Sequence, residues 1–139
     1  MRVEQLSVFL ENKSGSLAEV MSVLNEEKVK VLSTFVTSTT DFGVLYMIVD
    51  NPERGQKVLR DQGFSCRISD VAVVVVDDNG GIVSVLKELS REGLNIEYLY
   101  TFTVKMSGKT WMAFRCDDTE RAVKTIQDLP GIQAEDKPE

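Results

Sequence analysis

Apolar positions along the chain alternate in short runs, switch to a helical period, and then switch back. Residues 3–10 read as a strand and lead into a small polar elbow, Lys13-Ser14-Gly15-Ser16. Leu17, Val20, Met21 and Leu24 then fall at i, i+3, i+4 and i+7, the single apolar stripe of a helix. Ser16 and Glu19 stand at capping-box spacing. A strand over 30–38, a hairpin near Asp41-Phe42-Gly43 and a strand over 44–49 are predicted next. Asn51-Pro52-Glu53 opens a second helix, with asparagine as cap and proline in the first turn. Gly63 ends that helix, and a strand over 64–69 follows.

The whole order then recurs. Shifted by 65 residues, "NKSGSLAEVMSVLNEEKVKVLS" lies on "DDNGGIVSVLKELSREGLNIEY" without a gap. Asn12 meets Asp77, Gly15 meets Gly80, Leu17 meets Ile82 and Leu24 meets Leu89. After a two-residue insertion near Ser107-Gly108, "DNPERGQKVL" at 50–59 lies on "DDTERAVKTI" at 117–126. The second copy therefore predicts a strand over Val71–Asp77 and a helix carrying Ile82, Val85, Leu86 and Leu89. A hairpin around Ser107-Gly108 and a helix from Asp118 to about Leu129 follow. Pro130 and Gly131 close that helix, a short strand sits near Ile132, and "DKPE" reads as a frayed tail.

Each copy is βαββαβ, the split βαβ pattern. The expected fold is α+β: two ferredoxin-like units, residues 1–69 and 70–139, with antiparallel sheets and helices on one face. A unit of about 70 residues sits near the size at which one core is marginal, so packing as one body is expected.

Composition narrows the classes. The chain has 139 residues, 42% of them hydrophobic, enough for a core. Its longest apolar run, "VAVVVV" at 71–76, is far short of the ~20 residues of a membrane span. No signal peptide is read at the N-terminus, and a soluble cytoplasmic protein is expected. Net charge is −6, from 16 basic and 22 acidic residues, with no basic stripe to track a phosphate backbone. Cys66 and Cys116 are isolated in strand-like runs, as small reduced core residues are. There is no histidine, which removes Ser-His-Asp and Cys-His catalysis and the usual zinc sets. Carboxylate and lysine mechanisms stay open. No catalysis, metal or cofactor is expected.

Several features carry a bland reading beside a sharp one. Gly15 and Gly80 either permit a turn or let a ligand approach bare backbone. Asn12 is by itself an ordinary turn residue. Tyr98, Tyr100 and Phe102 alternate on one strand face and read as core or interface packing. Met21, Met47 and Met112 read as core fillers, and "ERGQK" and "ERAVK" as solvated helix faces. Gly80-Gly81 lacks the GxGxxG spacing of a dinucleotide site.

Two segments carry a resemblance. "VFLENKSGSLAEVMSVLNEEKVKV" is similar to the strand, elbow and helix of an ACT domain, and "GGIVSVLKELSREGLNIEYLYTF" to its helix and Gly-(Val/Ile)-Asn-Ile segment. Over about residues 3–135 the chain resembles a stand-alone tandem ACT protein. The resemblance implies a non-catalytic regulator that binds an amino acid or similar small zwitterion. It would act through an amino-acid-metabolism enzyme in trans, and would form a homodimer. It further implies that the elbow of one unit faces the second strand of the other, with the ligand between.

The repeats depart from the family pattern unequally. Proline of the elbow is Ser14 in one copy and Asn79 in the other; the elbow asparagine becomes Asp77; the asparagine of "LNI", Asn95, becomes Lys30. Crossing the halves pairs Asn12 with Asn95 and Asp77 with Lys30. One competent site is therefore expected, built from Asn12, Ser14, Gly15, Ser16 and Leu17 with Asn95 and Ile96. A degenerate second seam is expected at Asp77, Gly80 and Lys30. The competing functions are a ligand-free protein–protein interaction or dimerisation module and, third, a small enzyme on the same scaffold.

Overall fold

The computed structural model describes residues 2–77, 80–102, 108–127 and 129. The strand expected near Ile132, the closing Pro130-Gly131, the "DKPE" tail, Asn79 and Ser107 lie outside the described residues. The chain divides into two compact units, Glu4–Asp70 and the residues from Val71 onward together with the first residues of the chain.

The first unit contains β1 (Arg2–Glu11) from Glu4 onward, α1 (Ser16–Glu26), β2 (Val31–Ser38), β3 (Phe42–Val49), α2 (Pro52–Asp61) and the start of β4 (Ser65–Asp77). Its strands lie in the order β2-β3-β1-β4, with β3 antiparallel to both β1 and β2. Strand alternation sends Leu6, Val8 and Leu10 of β1 and Leu45, Met47 and Val49 of β3 to one face. Val20 and Leu24 of α1 and Leu59 of α2 close over that face as a dry core.

The second unit contains the rest of β4, α3 (Gly81–Arg91), β5 (Ile96–Thr101), β6 (Lys109–Cys116) and α4 (Thr119–Ile126). β6 is antiparallel to both β4 and β5. Here Ala72, Val74, Val76, Met112 and Phe114 meet Val85, Leu89, Ala122 and Ile126. The duplication reaches the fine geometry. A bulge interrupts β2–β3 between Val31 and Ser33, and the same bulge interrupts β5–β6 between Ile96 and Tyr98. Met47 and Met112 are fully buried and Met21 partly so, and both cysteines are buried free thiols.

Four expectations need correction. The strands expected over 64–69 and 71–77 are one continuous strand, because no turn residue interrupts Ser65–Asp77. The helix expected to reach Leu129 ends at Ile126. Ser16 is not a cap: Gly15 takes that place in a left-handed conformation, so Ser16 is the first helical residue and no capping box forms. Leu17 and Leu86 are not core residues, being 41% and 38% exposed. Each sits on the border of its helix's apolar stripe, where Val20/Leu24 and Val85/Leu89 already fill the face.

Among the described residues no helix is long and apolar enough to cross a membrane.

Candidate functional site

The first elbow is tied to the neighbouring hairpin through Asn12. Its backbone N–H donates to the Asp41 carbonyl (2.8 Å), and its side-chain Nδ2 donates to the carbonyls of Thr39 (2.9 Å) and Thr40 (3.2 Å). Both amide protons are spent on these bonds. What Asn12 offers outward is therefore Oδ1, an acceptor.

Gly15 holds φ at 91°, and a Cβ placed there meets nothing within 4 Å. Glycine is required by the dihedral and not by crowding, and the space beside the backbone is open. No side chain caps α1, and the amides of Leu17 and Ala18 find no acceptor among the described residues. Those amides and the helix dipole present a positive end suited to a carboxylate. Ser14 and Leu17 are exposed, and Ser16 is buried.

The second elbow is built on the same turn with different chemistry. Gly80 holds φ at 82°. Asp77 is ion-paired with Lys109, its cross-strand partner on β6, so its cation is a neighbour inside its own unit. The Lys30 ammonium expected to answer Asp77 carries no ion pair among the described residues. Gly81 lies where a Cβ would come within 2.7 Å of Val76 Cβ, so this helix start presses on its own strand. Its equivalent in the first elbow is Ser16, which has room for a side chain.

Lys30 and Asn95 occupy one structural position in the two units. The Lys30 N–H donates to Asp50 Oδ1 (3.0 Å), and the Asp50 N–H returns a bond to the Lys30 carbonyl (3.0 Å). Asn95 and Asp117 repeat that exchange at 3.1 and 3.2 Å. The brace uses only the backbone of residues 30 and 95, so both side chains project without a structural duty. Ile96 follows Asn95 as a half-buried residue paired with Cys116.

The structure brings Asn12, Ser14, Gly15, Ser16 and Leu17 together on one elbow. Asp77 and Gly80 sit on the other. Lys30 belongs to the first unit, and Asn95 and Ile96 belong to the second.

One pair of functional side chains was hidden in the "ERGQK" and "ERAVK" segments. Arg54 donates through Nε and Nη2 to the carbonyl of Glu27, the residue closing α1, and through Nη2 to Glu27 Oε2. Arg121 reaches the equivalent Glu92 at the end of α3 through Nη2, to its carbonyl at 2.8 Å and to its Oε2 at 3.1 Å. These are helix clamps and not merely solvated faces. The available signal was the identical Glu-Arg in both repeats.

Burial pushes the Cys66 thiol up to about 11, opposed weakly by Arg60, and burial also raises Cys116. Tyr100 is raised far above its usual range, first by burial and then by Tyr98, whose ring stacks on it at 6.3 Å. Phe102 packs on Trp111 at 5.9 Å, so this aromatic row serves packing. Among the described residues no group of three metal-ligating side chains occurs.

Residues 1–136 match a family model described as an ACT domain pair. The chain belongs to the ACT domain pair family. No protein of curated function matches it. Among solved structures this ACT domain pair is similar to protein BT0572 of Bacteroides thetaiotaomicron. The identity is 33%, the TM-score is 0.84, and 92% of this chain and 88% of that chain are covered. It also shares its fold with the ligand-free regulatory subunit of aspartate kinase from Thermus thermophilus. There the identity is 15% and the TM-score 0.64, over 89% of this chain and 90% of that one. A putative C-terminal regulatory domain of aspartate kinase from Porphyromonas gingivalis has the same fold at 12% identity and a TM-score of 0.53, over 92% and 93%. ACT domains are typically regulatory, ligand-binding modules.

Proposed function

We propose that this ACT domain pair is a non-catalytic regulator that binds a free amino acid and acts through a partner enzyme of amino-acid metabolism. The observation that carries the reading is the inequality of the two elbows. The first has unspent helix-start amides for a carboxylate and the Asn12 Oδ1 acceptor for an ammonium. The second has its acidic residue already neutralised by Lys109. On this reading there is one site per chain, at the first elbow (Asn12, Ser14, Gly15, Ser16 and Leu17), with Asn95 and Ile96 proposed as its further contributors. The second seam proposed from Asp77, Gly80 and Lys30 is incompetent on this reading.

A thermal-shift screen of the twenty amino acids followed by calorimetry tests this. A ligand at 100 times its Kd adds about 2.7 kcal/mol of stability, a rise of several degrees for a chain of this size. Calorimetry then returns one site per chain. Asn95→Ala weakens binding by about 1–2 kcal/mol through lost hydrogen bonds, while Lys30→Ala changes it little. Two equal sites, or a larger effect from Lys30, would overturn the assignment. No shift with any amino acid favours the ligand-free interaction module instead.

A further inference from the structure

Beside the first elbow, on the flank facing the turn at residues 63–65, a cleft of about 330 Å³ opens within the first unit. Its size is that of a small-molecule site. Ser16 lines it, and this serine is only 7% exposed, yet its hydroxyl makes no hydrogen bond among the described residues. No buried side-chain oxygen is sealed from solvent without a partner, so the Ser16 hydroxyl reaches the cleft.

The other walls say what would enter. Glu19 lies one turn along α1, with no hydrogen bond or ion pair to its carboxylate among the described residues. Glu11 lines the mouth, where it holds Lys13 at 3.2 Å, so the cation present is already matched. Phe64 supplies an apolar flank. A free carboxylate, an unbonded hydroxyl and aromatic surface favour a ligand that donates hydrogen bonds and carries positive charge. In the second repeat the residue equivalent to Ser16 is Gly81, pressed against Val76, so the feature belongs to the first unit's own sequence.

We propose that this cleft is a binding site for a small alkylammonium compound, adjoining the amino-acid site read above and sharing Ser16 with it. The ammonium pairs with Glu19 and donates to the Ser16 hydroxyl, while its methylenes lie along Phe64. The test uses the full chain and calorimetry with 1,4-diaminobutane, with n-butylamine and butyrate as comparisons. Saturable binding of the diamine and butylamine is expected, with none of butyrate. Glu19→Gln, an exposed substitution that spares the fold, reduces diamine affinity at least tenfold, and Ser16→Ala reduces it about fivefold. Asn95→Ala leaves it within twofold. No saturable amine binding, preference for butyrate, or indifference to Glu19→Gln overturns this proposal. Amine binding lost while an amino acid still binds condemns the cleft alone; the reverse condemns only the amino-acid reading.

Discussion

At the end of α1, Lys28 adopts φ 59°, the one positive φ among the described non-glycine residues; the second repeat places Gly93, at 73°, in the equivalent position. Both turns close by the same bond pattern, Val29 N–H to Leu24 carbonyl in one and Leu94 N–H to Leu89 carbonyl in the other. A side chain in the left-handed region costs about 1–2 kcal/mol. Glycine removes that strain but adds about 0.4–1 kcal/mol of unfolded-state freedom. Lys28→Gly is therefore expected to raise stability, by about 0.5 kcal/mol net. Urea unfolding measures it, and a lowered midpoint would mean that the lysine stem contributes packing that outweighs the strain. The same logic protects Gly15 and Gly80, whose turns admit other residues only with strain.

At the scale of elements, the paired helices of each unit are joined by an arginine. Arg54, just after the Asn51 cap of α2, reaches the carbonyl and carboxylate that end α1; Arg121, after the Asp118 cap of α4, does so for α3. A guanidinium at a helix C-terminus meets both unpaired carbonyls and the negative end of the dipole. These contacts are half-exposed, so their worth is modest. Arg54→Ala and Arg121→Ala are each expected to cost about 1 kcal/mol in chemical denaturation. Lysine at either position recovers only part of that, because a single ammonium does not span two acceptors as a fork does. Equal stability of the alanine variants and the parent would reduce the clamp to a surface contact.

At the scale of the whole molecule, each unit leaves an edge strand, β2 in the first and β5 in the second. The first unit also exposes apolar side chains on its sheet, with Val36 of that edge strand at 44%, Phe42 of β3 at 63% and Phe9 of β1 at 48%. Unpaired strand edges and apolar surface both favour association, and most closed oligomers of a single chain are two-fold dimers. A homodimer at micromolar concentration is expected. Light scattering decides it, and a monomer mass there would leave these edges to some other partner.

The sequence by itself determined the elements and their duplication. Strand and helix periods are local properties of side-chain direction, and a 65-residue shift makes each repeat a check on the other. The turn glycines and the Asn51 cap were legible for the same reason, since their chemistry acts within a few residues. Tertiary structure decided what each polar side chain is spent on. Asn12 gives both amide protons to carbonyls more than 25 residues away, and Asp77 finds Lys109 across a strand pair. Arg54 and Arg121 reach back to helix ends in their own units. Leu17 keeps the apolar period yet stands in solvent, because period names a direction and only packing supplies a neighbour. A residue's capacity for bonding is written in its type. Which bonds remain for a ligand depends on the partners that folding has already brought within 3 Å or so.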